Sequence, residues 1–145
     1  MRTVGFLSPE TLDEAQSSFE ELGVPARELT REIAVAMGFN TEEYGERVTE
    51  DVVHTAREAL FGSLLLVLTG ERSEFDTWLN QPKHADFDVT IEGSERVVNI
   101  AWHPAPMDDR VIAATYENER EAAISTLRRI AWGSVYCGEL HLRDT

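Results

Sequence analysis

The sequence predicts an α+β protein, with N-terminal helices followed by a three- or four-stranded, mainly antiparallel sheet and a C-terminal helix packed on that sheet. Apolar residues recur every three or four positions in the first 60 residues, which is typical of amphipathic helices. Between residues 86 and 102 apolar and polar residues alternate, which is typical of half-buried strands. A helical pattern returns after residue 118. Because helices and strands occupy separate stretches with short connections, an α+β class is favoured.

Three helices are predicted in the N-terminal part. The first begins at Ser8, a hydroxyl cap followed by proline, and the second begins at Pro25. Asn40 caps the third, but Gly45 and Thr49 weaken its middle, so two shorter helices in a line are the alternative. The apolar stripes expected to face the core are Leu12, Ala15, Phe19 and Leu22, then Leu29, Ile33, Ala36 and Met37, then Tyr44, Val48, Val52, Ala56 and Leu60.

The pattern changes after Gly62. Residues 64–68 form a short apolar run, which predicts a strand buried on both faces, although the end of a buried helix fits the same pattern. Ser73 then caps a short helix, which ends at Pro82.

Three further strands and one helix complete the chain. Alternation predicts strands at 87–91 and 98–102 with Gly93 in the turn between them, and a third strand at 111–116. Asn118 caps the last helix, with a glutamate three residues later. Its core-facing stripe is Ile124, Leu127, Ala131 and Val135.

The chain length predicts a single domain. A chain of 145 residues fits one well-packed domain over 1–145. Within it we expect a helical part at 8–62, an α/β part at 63–137 and a frayed tail at 138–145.

The charge composition predicts the environment of the protein. The chain has 27 acids, 13 bases and a net charge of −14, which argues against a nucleic-acid or anionic-membrane surface. Lys83 is the one lysine. An acidic, lysine-poor surface indicates adaptation to concentrated salt, because salt screens repulsion between like charges. With no apolar run long enough to span a membrane and no secretory signal, we expect a cytoplasmic protein.

Four segments carry a resemblance to a known family. They are residues 42–49, 55–61, 101–103 and 126–129, which contain EEY, TAREALF, AWH and TLRR. Over most of its length the chain resembles an uncharacterised family of small acidic proteins from halophilic archaea. That family has no assigned activity, cofactor or catalytic residue, so the resemblance implies a domain of unknown function.

The strongest functional candidate is an arginine–aromatic face on the last helix. Arg128, Trp132 and Tyr136 are four residues apart and so share a helical face, with Arg129 beside them. Arginine and aromatic residues are enriched in interface hot spots. The structural alternative is that the cations complement the helix dipole and Trp132 completes the core. The face predicts a protein partner or a homodimer.

Two histidines suggest catalysis as an alternative. His103 precedes a loop that contains Asp108 and Asp109, and these three could form the site of a small hydrolase or ligand-binding enzyme. Against this, Trp102 is in phase with the core, and paired aspartates are common in turns. His54 lies between Glu50 and Glu58 at helical spacing, which more often produces salt bridges than a catalytic site.

A metal site receives little support. Cys137 and His141 have three residues between them, and His103 could approach, but zinc needs three or four such ligands. A small buried cysteine followed by a frayed tail is the favoured explanation of the pattern. We therefore expect no cofactor and no metal. The prediction is a non-enzymatic interaction or regulatory module of unknown partner.

Overall fold

The computed structural model describes residues 1–144, and the side chains of residues 1–140. The strands are β1 (Arg2–Val4), β2 (Val67–Glu71), β3 (Asp88–Glu92), β4 (Asn99–Ala105) and β5 (Arg110–Tyr116). The helices are α1 (Leu12–Glu21), α2 (Gly23–Ala36), α3 (Thr41–Arg47), α4 (Glu50–Ser63), α5 (Arg72–Leu79), α6 (Arg120–Ala131) and α7 (Cys137–Asp144). A π-helical segment, Trp132–Tyr136, joins α6 to α7. The predicted α+β class is confirmed.

The sheet is mixed and has five strands in the order β1-β2-β4-β5-β3. β3 pairs with β5 in parallel, whereas the other neighbours are antiparallel. The expectation of three or four mainly antiparallel strands therefore misses β1 and the parallel pair. β1 has only three residues, too few for an alternating pattern to be visible.

The turn at Gly93 does not join a hairpin, contrary to the prediction. β4 is buried along nearly its whole length and takes a central position, whereas all five residues of β3 are exposed and lie at the edge. Gly93 has a φ of +115°, and a β-carbon there would lie 1.9 Å from Oγ1 of Thr115. The N–H of Ser94 donates to the same oxygen at 3.1 Å. The chain thus passes close over β5 before it reaches β4.

Two cores lie on opposite faces of the sheet. The larger is formed by α1, α4, α6 and α7 and includes Phe19, Phe61 and Tyr136. The smaller lies under α5, where Phe75 packs on the fully buried Trp102. Successive residues of a strand face opposite sides, so β4 contributes to both cores. The predicted burial of Trp102 is confirmed.

Helix caps follow local chemistry in part. Asn40 and Glu43 form a capping box at α3, and Thr49 caps α4, so the predicted third helix is two shorter ones. At α1 the cap is Thr11 instead of Ser8. The Ser8 hydroxyl instead donates to the carbonyl of Pro104 at 2.9 Å.

The caps predicted for α5 and α6 are wrong. The cap residue of α5 is Glu71, not Ser73. α6 begins after Glu119 without a side-chain cap, instead of at Asn118. The run at 64–68 combines both alternatives, because Leu64 is the C-cap of α4 and β2 begins at Val67.

The core stripes of α1 and α6 are confirmed, but those of α2 and α4 are not. The buried residues of α2 are Ala26, Thr30 and Ala34, while Leu29, Ile33, Ala36 and Met37 are exposed. In α4 the buried apolar residues are Val53 and Phe61, one position beyond the predicted stripe. α2 packs mainly against α4. Small side chains let the two helices approach closely, a feature that a search for large apolar residues does not detect.

The segment expected to be a frayed tail is helical as far as Asp144. Leu140 is fully buried in the larger core, which anchors this helix. Within residues 1–144, no helix combines the length and the apolar character needed to cross a bilayer.

Candidate functional site

The predicted arginine–aromatic face is only partly exposed. Arg129 is exposed and Arg128 and Trp132 are half-buried, but Tyr136 is fully buried. Tyr136 lies in the π-helical segment, which takes more residues per turn than an α-helix. This turns Tyr136 back toward the core side of α6, and it cannot contact a partner in this conformation.

The Tyr136 hydroxyl instead pairs with His103. It lies 2.6 Å from Nε2 of His103, and Nδ1 of the same ring lies 2.6 Å from the carbonyl oxygen of Leu66. Because a carbonyl only accepts, Nδ1 carries the proton, and Nε2 of the neutral ring accepts from the hydroxyl. Both ring nitrogens are therefore occupied by the protein itself.

Burial keeps this pair neutral. His103 is fully buried, and burial lowers its pKa from 6.5 to about 4. The hydrogen bond to Leu66 acts in the opposite direction and raises the pKa, whereas the positive charge of Arg128 lowers it. Burial also raises the pKa of Tyr136, as does the negative charge of Asp108. The pair links β4 to the C-terminal helix and is closed to solvent.

The proposed catalytic group of His103, Asp108 and Asp109 has no shared opening. Both aspartates are exposed, whereas His103 is sealed. Asp108 lies 3.5 Å from Arg110. Asp109 has a φ of +50° at the β4–β5 turn, a left-handed conformation that aspartate tolerates better than most residues. The two aspartates thus have the turn role that the sequence offered as the alternative.

The triplet around His54 separates into two contacts with different partners. His54 lies 2.9 Å from Glu58 and packs edge-on against Phe19. Glu50 pairs with Arg27 at 2.7 Å. The His54–Glu58 contact has the i,i+4 spacing of the salt-bridge alternative, whereas Arg27 belongs to α2.

The cysteine-containing candidate gains no support from the described residues. Cys137 is a half-buried free thiol, and the side chain of His141 lies outside the described residues. Among the residues that the structure describes, no group of three or more histidine, cysteine or acidic side chains is placed to hold a metal ion.

The structure adds a groove that the sequence analysis missed, which we call the α4–α6 groove. It has a volume of about 440 Å³. Its lining residues are Thr55, Glu58, Ala59, Gly62, Ser63, Ser125, Arg128, Arg129 and Trp132. A β-carbon on Gly62 would meet nothing within 4 Å, so the groove has free space beside Gly62. The sequence carries no distinctive signal for the α4 side of this groove, because small residues such as glycine, alanine and serine are common on helices.

The two arginines of the groove have different environments. Arg128 donates from Nε to the carbonyl of Leu65 at 3.1 Å. Its Nη2 lies where a β-carbon on Gly5 would be only 2.6 Å away. Burial lowers the pKa of Arg128, which Glu121 partly offsets. Arg129 is exposed, and its guanidinium makes no hydrogen bond or ion pair with any residue of the described part of the chain.

Two aromatic rings of the larger core pack against Trp132. It stacks on Phe19 at 6.2 Å between ring centroids and packs on Phe61 at 5.6 Å. Its remaining surface lines the groove. The groove therefore joins a rigid aromatic ring to an exposed cation.

A second cleft has the opposite charge. It lies between the ends of β3 and β5 and the start of α6, with a volume of about 580 Å³, and Glu92, Glu117 and Glu119 line it. The α4–α6 groove thus departs from the acidic character of the chain.

Comparison with curated proteins and with solved structures finds no match. Residues 6–137 match a family of unknown function, DUF5809. The match spans most of the 145 residues and includes all of the groove. The chain belongs to the DUF5809 family.

Proposed function

We propose that this protein is a non-enzymatic interaction module that binds an acidic, apolar-faced segment of a protein partner in the α4–α6 groove. The observation that carries the proposal is Arg129, an exposed cation without a described partner, beside the half-buried Trp132.

Charge supports an acidic occupant. The chain carries a net charge of −14, and no acid among residues 1–140 is buried. In the groove, however, Arg128 and Arg129 face a single acid, Glu58, which already pairs with His54. A locally positive groove on a negative protein attracts acidic groups.

Shape supports an elongated occupant. The groove runs between two helices, and small residues such as Ala59, Gly62 and Ser125 line it. Side chains of an amphipathic helix enter grooves of this kind. Trp132 is already fixed by Phe19 and Phe61, so little side-chain entropy is lost when a partner packs on it.

The enzymatic alternative has no observation in its favour. Its base, His103, is buried with both nitrogens engaged, and a general base must reach the proton that it abstracts.

The acidic surface supports a proposal about the setting. We infer that the protein works in concentrated salt, as in the cytoplasm of a salt-accumulating archaeon, without nucleic acid or membrane as a partner. Lysine depletion and a −14 charge carried by exposed acids support this inference.

A labelled synthetic helical peptide, with glutamates on one face and leucines on the other, tests the groove. In fluorescence anisotropy at 0.15 M and 2 M KCl, we expect Arg129→Glu to weaken binding at least about tenfold, or ~1.4 kcal/mol. Arg96→Glu is the control, because it makes the same charge change at an exposed position outside the groove. Its dissociation constant should stay within about twofold of the wild type in 2 M KCl, where salt screens the long-range effect of the added charge. Equal losses in both variants, or no binding to the wild type, would overturn the proposal.

A further inference from the structure

Building on the function proposed above, we propose that His103 is a positioning residue for the α4–α6 groove: through Tyr136 it fixes the π-helical segment that presents Trp132 to the partner. Trp132 lines the groove, whereas His103 and Tyr136 do not. Both are fully buried, so any effect that they have on the groove is transmitted through other residues. The fixing of Trp132 is a property of the protein without its partner.

The π-helical segment connects the groove to the buried pair. It runs from Trp132 to Tyr136, and the N–H of Cys137 donates to the carbonyl of Trp132, five residues earlier. In an unbroken α-helix, residues four apart lie on one face, so Tyr136 would lie beside Trp132 at the groove. The wider π turn instead leaves Trp132 at the groove and buries Tyr136 in the larger core. The placement of Trp132 therefore depends on the same turn that buries Tyr136.

Two strands of the sheet hold this segment by hydrogen bonds. The Tyr136 hydroxyl donates to Nε2 of His103 at 2.6 Å, and Nδ1 of His103 donates to the carbonyl of Leu66 at 2.6 Å. Nη1 of Arg110 donates to the carbonyl of Ser134 at 3.1 Å. His103 lies on β4 and Arg110 on β5, and these strands are neighbours. The segment is thus held from the sheet at two points.

Phe61 of α4 provides a second connection between the two aromatic side chains. Its ring centroid lies 5.3 Å from that of Tyr136 and 5.6 Å from that of Trp132. Phe61 is fully buried, and a close-packed interior leaves little room for one ring to move without its neighbours. A change in the orientation of Tyr136 therefore reaches Trp132 through packing as well as through the backbone.

The hydrogen bond to His103 is what selects one orientation of the Tyr136 ring. A buried hydroxyl that loses its partner is costly, so the ring is confined to the orientation in which its hydroxyl reaches Nε2. Phenylalanine at this position would fill the same core without that restriction. We therefore expect the hydroxyl, more than the volume of the ring, to control how firmly Trp132 is fixed.

Arg128 of the groove is tied to the same stretch of chain as His103. Its Nε donates to the carbonyl of Leu65, next to the Leu66 carbonyl that accepts from His103. Both carbonyls follow directly after α4, whose C-cap is Leu64. His103 thus supports the backbone on which one groove arginine rests, in addition to the turn that carries Trp132.

The mobility of the Trp132 indole in the protein without peptide tests the positioning. Nitrogen-15 relaxation of the indole N–H should give an order parameter of about 0.85 in the wild type and below about 0.7 in Tyr136→Phe. Trp78 and Trp102, in the smaller core, should not change. His103→Gln should resemble the wild type, because its amide can donate to the Leu66 carbonyl and accept from the Tyr136 hydroxyl.

Peptide affinity tests the consequence for the groove. A mobile tryptophan must be immobilised when the partner binds, so Tyr136→Phe should raise the dissociation constant of the glutamate–leucine peptide about three- to tenfold in 2 M KCl. Arg110→Ala removes the bond to Ser134 from a partly exposed position. It should act in the same direction on both measurements, and it serves as the second variant if Tyr136→Phe folds poorly.

Ile100→Val is the matched control for a general loss of stability. Ile100 is fully buried in the smaller core, on the face of the sheet opposite the groove helices. This variant should unfold at lower urea than the wild type, but its Trp132 order parameter should be unchanged and its dissociation constant should stay within about twofold.

Four results would overturn the positioning role. They are an unchanged Trp132 order parameter in both Tyr136→Phe and Arg110→Ala, a mobile Trp132 with undiminished affinity, equal effects of Ile100→Val and Tyr136→Phe, or His103→Gln as mobile as Tyr136→Phe. A wild type that does not bind the peptide would overturn the proposed function, whereas the order parameters still decide whether His103 and Tyr136 fix Trp132. The two failures are therefore distinguishable.

Discussion

Acidification should destabilise this protein through one residue, His103. Its pKa falls from 6.5 to about 4 on folding, chiefly because of burial. The folded state thus binds the proton less readily than the unfolded state. The stability of the folded state with a neutral His103 is fully present above pH 6.5, and it is lost as the pH falls from 6.5 to about 4.

The size of the effect follows from the shift. A difference of about 2.5 pKa units corresponds to about 3 kcal/mol at ~1.36 kcal/mol per unit. About 2 kcal/mol of this loss should already be present at pH 5, where most carboxylates are still ionised.

Urea unfolding at pH 7.5, 6.0 and 5.0, in constant 2 M KCl, measures this loss. High salt suppresses the general effect of net charge. In His103→Gln the amide side chain does not titrate, so we expect the free energy of unfolding to change by less than about 0.5 kcal/mol over the same range. His54→Gln is the control, because it removes a partly exposed imidazole and leaves the buried His103 in place, so the loss due to His103 should remain. Equal pH dependence of wild type and His103→Gln would refute the reasoning.

Four further predictions concern stability. Tyr136→Phe leaves Nε2 of His103 buried without its donor and should lower the free energy of unfolding, measured with urea, by about 1–3 kcal/mol. The control is Tyr116→Phe at a half-buried position, which should lower it by less than ~1 kcal/mol. Equal losses in the two variants would contradict the hydrogen bond. Gly5→Ala forces a β-carbon into the Leu65 carbonyl at a φ of +77° and should cost about 1–3 kcal/mol. Gly62→Ala, in open space within α4, should stabilise by about 0.5–1 kcal/mol, so a loss in this variant would count against the local geometry. The midpoint of thermal unfolding, measured by calorimetry, should rise by roughly 10 °C or more between 0.1 and 2 M KCl. A midpoint that stays constant or falls would contradict the inferred adaptation to salt.

The candidate site could be predicted only in part. Arg129 and Trp132 stood out in the sequence because arginine beside tryptophan is unusual in so acidic a chain. The α4 side of the groove carries glycine, alanine and serine, which have no distinctive chemistry, so only the packing of α4 beside α6 identifies them. Tyr136 was misplaced because four-residue spacing implies a shared face only in an unbroken α-helix, and the chain forms a π segment there.

Local patterns by themselves determined the α+β class, the core faces of α1 and α6, the cap at Asn40 and the burial of Trp102. Each depends on residues within one or two turns or along one strand, where periodicity and capping act directly.

Only the tertiary structure decided that β3 lies at the edge beside β5, that α2 buries small residues, and that His103 pairs with Tyr136. These features depend on which segments, far apart in the sequence, pack into the same buried volume and share the same hydrogen-bond donors. That competition acts between segments far apart in the chain, and no local pattern records it.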